Sequence, residues 1–312
     1  MDGRLQLFTG TAHRGLGELL SRELELPLGR AIVDTFKNGE TRVKLEENVR
    51  GSDVFLLQPT CHPVNEHIME LLLLIDAAKR ASAARITAVI PYYGYARQEK
   101  KTSGREPISA KLVANLLTVA GADRILAVDL HAPAIEGFFD IPVDHLRATP
   151  LLARAFRDTV QGEDVAVVSP DSGGVARAED FRRRVGGSLA IISKQHPGPD
   201  KTETLDMVGD VEGKISIIVD DMISTGSTLI EAADMLKARG ARSIQVAATH
   251  GIFAGDAVDR IVASDIERMF VTDTLPLPPS SDGKVEVISV APLLAEAITR
   301  THKGLSISAL FT

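Results

Sequence analysis

The stretch Ile217-Ile-Val-Asp-Asp-Met-Ile-Ser-Thr-Gly-Ser-Thr228 decides the fold. A fully apolar strand delivers two adjacent carboxylates at its C-terminal edge, and a loop of small residues then opens a helix. In an open α/β sheet that edge is where ligands bind. The same alternation of short apolar strands and longer helix-like segments runs outward in both directions. Strands are predicted at Val54 to Gln58, Arg85 to Pro91, Arg124 to Val128, Asp164 to Ser169, Leu189 to Ser193, Lys214 to Val219 and Ser243 to Thr249. Helices are predicted at Glu66 to Ala81, Ser109 to Ala120, Gly174 to Val185 and Ser227 to Arg239, with Gly121 and Gly240 as stops. The pattern predicts an α/β protein with mostly parallel central sheets.

The halves echo each other: Ala120-Gly-Ala-Asp-Arg-Ile and Arg239-Gly-Ala-Arg-Ser-Ile each lead through a strand to a histidine, His131 and His250. A boundary near Leu146 to Pro150 divides the 312 residues into two domains, a size that buries a core without difficulty. Hydrophobic residues make up 44% and charged residues 25%, which excludes a disordered or fibrous chain. The longest aliphatic run, Leu71 to Ile75, falls far short of the roughly 20 residues that span a bilayer. No charged-then-apolar pattern opens the chain, so a cytoplasmic location is expected. A single cysteine, Cys61, excludes an internal disulfide and a thiolate-rich zinc site. With 35 basic and 42 acidic residues the net charge is −7, so a nucleic-acid surface is not expected. An anionic ligand must then be held by local cations or backbone amides.

Several positions carry candidate chemistry. Asp220 and Asp221 can accept hydrogen bonds from vicinal sugar hydroxyls, and Ser224, Thr225, Gly226, Ser227 and Thr228 offer hydroxyls and amides to a phosphate at a helix N-terminus. A helix cap would need only one such residue. Phe36 can stack on a purine or fill the core, while Asn38 and Glu40 beside it can read a base edge. Arg97, next to Gln98 after a Tyr-Gly-Tyr turn, suits bidentate phosphate contact. His131 and Asp171 each follow a strand, and two such residues could share a divalent ion. Ile192 to Thr204 reads as a strand entering a polar loop that could close over substrates and supply a cation. Cys61, His62 and His67 form no convincing metal pattern.

The Ile217 to Thr228 string resembles the phosphoribosyl diphosphate loop of the type I phosphoribosyltransferase fold. Phe36 to Glu40, Tyr92 to Gln98, Ile108 to Val113, Val128 to Ala132, Gly137 to Phe139 and Val168 to Gly174 further resemble the ribose-phosphate pyrophosphokinase family, in order along nearly the whole chain. The resemblance implies two similar doubly wound phosphoribosyltransferase-like domains, 1–147 and 148–312, with the ribose 5-phosphate loop in the second. It implies magnesium-dependent transfer of the diphosphoryl group of ATP to the C1 hydroxyl of ribose 5-phosphate, giving phosphoribosyl diphosphate and AMP. By resemblance, Phe36, Asn38, Gly39, Glu40, Arg97 and Gln98 bind ATP. His131 and Asp171 bind Mg2+, with Asp129 in support, and Lys194 is catalytic. Asp220, Asp221, Ser224, Thr225, Gly226, Ser227 and Thr228 bind ribose 5-phosphate.

One departure stands out: the family's loop arginine is His196 here. Histidine is only partly protonated near neutral pH, with an unperturbed pKa of about 6.5, so either activity is reduced or pH-sensitive, or Lys201 takes over. This feature favours an alternative, a catalytically weak regulatory paralogue. A nucleobase phosphoribosyltransferase is a further alternative, which the duplicated length opposes. The family also implies a homo-oligomer built from dimers.

Overall fold

The computed structural model describes residues 3–195, 204–278 and 283–310. Close packing groups them into two units. The first is Met1–Arg147 with Thr274–Pro276 and Val290–Thr312, and the second is Ala148–Asp273 with Leu277–Ser289.

The first unit holds β1 (Leu5–Thr9), α1 (Arg14–Glu23), β2 (Ala31–Thr35), β3 (Thr41–Leu45), β4 (Asp53–Leu57), α2 (Val64–Arg80), β5 (Arg85–Ile90), α3 (Ser109–Ala120), β6 (Arg124–Val128) and β7 (Val143–Leu146). Five strands form a parallel sheet in the order β1-β4-β5-β6-β7, and β2 and β3 form a separate antiparallel hairpin. Strands β4 and β6 contain almost nothing polar because both faces of a parallel sheet are covered. Val54 and Leu56 of β4, with Ile86, Ala88 and Ile90 of β5, pack under Leu71, Ile75, Val113 and Leu117 of α2 and α3. Helix α3 stops where the sequence places its stop: Gly121 takes φ +118°, and its N–H donates to Leu117 and Thr118.

The second unit holds α4 (Thr149–Thr159), β8 (Val165–Ser169), α5 (Val175–Val185), β9 (Ser188–Gln195), β10 (Thr204–Val208), β11 (Ile215–Ile223), α6 (Ser227–Ala238), β12 (Ser243–Gly251), α7 (Ala257–Val262), β13 (Arg268–Thr272) and β14 (Val285–Ile288). Its sheet runs β10-β9-β8-β11-β12-β13-β14, parallel except for β10. The two-residue period of the strands sorts the core into two layers. Ala166, Val168, Ile218 and Val246 face Leu229, Ala233 and Leu236 of α6. Val165, Val167, Ile217 and Val219 face Leu152, Phe156 and Phe181 of α4 and α5. Phe156 stands edge-on to Phe270, with centroids 6.0 Å apart.

The last helix, α8 (Ala291–Lys303), corrects the division read from the sequence, which assigns it to the second piece. It packs on α1 in the first unit. Its apolar spacing reveals a buried face and not which sheet lies beneath it. Its end is tied down by charge: Asp53, fully buried, accepts from Arg85 Nε at 2.8 Å and lies 2.8 Å from His302 Nδ1, while Arg85 Nη2 donates to the Thr301 carbonyl at 2.9 Å. Among the described residues no helix is long and apolar enough to cross a membrane.

Removing Asp53 leaves the mostly buried Arg85 guanidinium without its carboxylate, a change that costs up to about 3–5 kcal/mol for a fully buried pair and less here, where solvent and the Thr301 carbonyl still reach it. Asp53→Ala should therefore lower the unfolding temperature by several degrees or more in calorimetry; an unchanged value would show that this cluster does not anchor α8.

Candidate active site

In the second unit the chain leaves β8 for β9 on one side and returns to β11 on the other, so the strand order reverses between β8 and β11. Such a switch point opens a crevice at the carboxyl ends of the strands. Here it is deepened by unequal lengths. Pairing of β11 with β8 ends at Ile218, while pairing with β12 continues through Ile223. Asp220 and Asp221 therefore lie within β11 and beyond β8, because the strand runs four residues past the end of its apolar run at Val219.

Two carboxylates on consecutive residues of a buried strand repel and lose water. Burial first, then the adjoining Asp221, push the Asp220 carboxyl up to about 7. Arg177 of α5 offsets part of this, its Nη1 lying 3.2 Å from Asp220 Oδ1 and 3.5 Å from Asp221 Oδ1. Sequence reading missed Arg177. It lies six residues after Asp171, in the first turn of α5, and no local signal marks which way it faces.

The loop after β11 takes the expected course. Ser224 accepts through its carbonyl from Ala254 N–H at 3.0 Å, and Gly226 turns with φ +76° to start α6 at Ser227. The left-handed turn is what favours glycine here; a Cβ would also sit 2.9 Å from the tip of the Ile261 side chain of α7, which would have to shift. Ser224, Thr225, Ser227 and Thr228 are partly or fully exposed around it. Arg260 of α7 reaches over this loop and was likewise not foreseen. Asp171, exposed after β8, ties down the turn that leads into α5: its Oδ1 accepts from Gly174 N–H at 2.8 Å.

In the first unit the candidate residues fall into two places. Phe36, Asn38, Gly39 and Glu40 form the tip of the β2–β3 hairpin, closed by Phe36 N–H to Glu40 O and Gly39 N–H to Phe36 O, both 2.8 Å. Phe36 is 49% exposed, with the Arg42 guanidinium 5.5 Å over its ring, so the core alternative for this side chain falls. Arg97 and Gln98 line a cleft of about 520 Å³ with His62, Asn65, Tyr92 and Tyr95. The Tyr-Gly-Tyr turn is pinned from below. Gly94 N–H donates to Thr60 Oγ1 at 2.6 Å, and a Cβ at Gly94 would lie 2.4 Å from the Thr60 carbonyl. Gln98 Oε1 accepts from Ser109 Oγ at 2.6 Å. Cys61 is buried against Ala12 and Leu275, and burial pushes its thiol up to about 11, which leaves it inert near pH 7.

His131 follows Asp129, which holds φ +38° at the end of β6. The backbone between them is fixed by His145 of β7: Leu130 N–H donates to His145 Nε2 at 2.7 Å, and His145 Nδ1 faces Glu136 Oε1 at 2.5 Å. Burial, with Arg147 alongside, holds this imidazole below its ordinary range and hence neutral near pH 7. No group of three or more metal-ligating side chains occurs among the described residues. His131 belongs to the first unit and Asp171 to the second. The Asp171 carboxylate, with Oδ1 bound to Gly174 N–H, is an oxygen donor of the kind hard divalent cations take, whereas the His131 imidazole is the softer donor of the two. Lys194 lies near the end of β9, its backbone opposite Leu205 of β10. His196 and Lys201 lie outside the described residues.

The charge on Asp220 has a consequence for stability. Its carboxyl titrates near 7 when folded and near 3.8 when unfolded, so the folded chain binds the proton more tightly and stability falls as pH rises through that window. Asp220→Asn should raise the unfolding temperature of the free protein at about pH 8, with the gain shrinking toward about pH 4. A gain of equal size at both pH values would contradict this account.

With that geometry in view, comparison with known proteins is direct. Residues 5–121 match the N-terminal domain of ribose phosphate pyrophosphokinase, and residues 189–312 match the phosphoribosyl synthetase-associated domain. A ribose-phosphate pyrophosphokinase of Caldanaerobacter subterraneus subsp. tengcongensis is 51% identical over 309 residues, 99% of this chain and 98% of that protein. The Thermotoga maritima ribose-phosphate pyrophosphokinase is 50% identical over 312 residues, 99% of each chain. The crystal structure of phosphoribosylpyrophosphate synthetase from Mycobacterium smegmatis superimposes with a TM-score of 0.92 at 45% identity, covering 96% of this chain and 99% of that one. The chain belongs to the ribose-phosphate pyrophosphokinase family.

Proposed function

We propose that the protein transfers the diphosphoryl group of ATP to the C1 hydroxyl of ribose 5-phosphate, yielding phosphoribosyl diphosphate and AMP. The observation that carries this reading is the β11 end: two carboxylates able to accept from a vicinal diol, followed directly by a hydroxyl-rich loop at the N-terminus of α6. A sugar phosphate presents those two groups at that spacing. Full-length similarity to pyrophosphokinases supports the same reaction and gives no support to a regulatory paralogue, for which His196 was the only feature.

In this reading Asp220 and Asp221 hold the ribose hydroxyls, and Ser224, Thr225, Gly226, Ser227 and Thr228 hold the 5-phosphate. Phe36 stacks on adenine, Asn38, Gly39 and Glu40 read its edge, and Arg97 and Gln98 engage the nucleotide phosphates. His131 and Asp171 would hold Mg2+, which when bound neutralises phosphate charge. The C1 hydroxyl attacks the β-phosphorus, the bond to the α-phosphate oxygen breaks, and AMP leaves. Lys194 stabilises charge developing on the transferring group.

We further propose a homo-oligomer in the cytoplasm. Ile108, Leu112, Leu116 and Val119 recur at helical spacing and are exposed along α3, Val119 to 79%. An apolar stripe of this kind is covered by another surface more often than by water. Leu112→Glu should reduce the assembly measured by sedimentation; an unchanged distribution would remove α3 from the interface.

The direct assay measures AMP and phosphoribosyl diphosphate from ATP, ribose 5-phosphate and magnesium across about pH 6 to 9, bracketing the histidine range. Wild-type turnover is expected. No turnover, restored by His196→Arg, would favour the regulatory reading. Lys194→Ala should reduce kcat by about 100-fold or more with little change in substrate binding; unchanged turnover would sink its catalytic role.

A further inference from the structure

The loop assigned above to the 5-phosphate contains hydroxyls, amides and one glycine, and no cation. A dianion arriving there also meets like charge from Asp220 and Asp221, a few residues earlier. Arg177, the cation closest to those carboxylates, is committed to them at 3.2 and 3.5 Å. The amides opening α6 already form an anion site, and a full cation beside them would strengthen its hold on a charged group.

Arg260 supplies such a cation. It projects from α7, whose neighbouring Ile261 is buried against Gly226. Arg260 Nη1 lies 3.4 Å from the Thr225 carbonyl, and Nη1 and Nη2 both lie 3.3 Å from Ser227 Oγ. Charge-assisted bonds are ordinarily about 2.7–2.9 Å long. The loop's own oxygens are thus poor partners, and no acidic side chain among the described residues pairs with this cation. Its guanidinium touches two of the residues assigned to the anion, and the side chain also lines a cavity with Ile230, Asp234 and Asp265.

We infer that Arg260 is a specificity-determining residue: it exchanges its long contacts with Thr225 and Ser227 for a forked contact with the 5-phosphate, and so selects ribose 5-phosphate over unphosphorylated ribose. The inference rests on the proposed reading of Ser224 to Thr228 as the phosphate loop.

The test uses the full chain and ribose 5-phosphate itself as the probe. Calorimetric Kd without ATP, and KM and kcat with ATP and magnesium, are measured for the wild type, Arg260→Gln, Arg260→Lys and the loop variant Thr228→Ala. Glutamine keeps donors for Thr225 and Ser227 and discards only the charge. Arg260→Gln should raise Kd and KM for ribose 5-phosphate about 10- to 100-fold, the range for losing a hydrogen bond to a charged group. The KM for ATP should stay within about threefold, and Arg260→Lys should recover part of the loss. If Thr228→Ala weakens binding and Arg260→Gln does not, arginine merely props the loop and the inference is overturned while the loop reading stands. If neither substitution weakens binding, or the wild type does not bind ribose 5-phosphate, the loop reading itself fails.

Discussion

The arrangement of the second unit depends on one mismatch in length: β11 outruns β8 by the segment that carries Asp220 and Asp221. Because β8 stops short, Asp220 stays partly exposed at the strand edge, while Asp221 is buried with the Arg177 guanidinium 3.5 Å away. Burying a charge without a partner costs several kcal/mol even after relaxation, so Arg177 is what makes Asp221 tolerable there.

Gly226 links this mismatch to the rest of the site. A left-handed turn must follow the strand at once if α6 is to begin at Ser227 with its first amides facing the crevice. Gly226 therefore fixes the direction of α6, and its open face is in contact with the Ile261 side chain of α7. In the first unit Gly94 serves a comparable end, allowing the Tyr92 to Gln98 turn to lie on Thr60 and aim Arg97 and Gln98 into their cleft.

Much of this was legible in the sequence because it is written in short-range patterns. The limits of α3 and β6, the turn at Gly121, the apolar run of β11 and the loop to Thr228 all follow from period, composition and punctuation. What escaped was set by distant partners. The continuation of β11 through its carboxylates depends on pairing with β12, which no local signal reports. Arg177 and Arg260 look like ordinary surface charges until α5 and α7 are docked. Helix α8 reads as amphipathic, but the buried Asp53 that receives His302 lies 249 residues away. Phe36 is the reverse case, where composition alone leaned toward the core and the hairpin tip holds it in solvent.

The raised pKa of Asp220 also bears on why the site is built against its own stability. In the free protein near neutral pH this carboxyl hovers about its midpoint, so the fold gives up stability to keep an ionisable acceptor where an amide would be easier to bury. Sugar hydroxyls donating to the charged form would reverse the balance and draw the proton off. Binding would then be coupled to proton release, and the ligand would stabilise the crevice in proportion to the strain it relieves. Arg177 limits that strain without cancelling it, its Nη1 lying near one oxygen of each carboxylate at 3.2 and 3.5 Å.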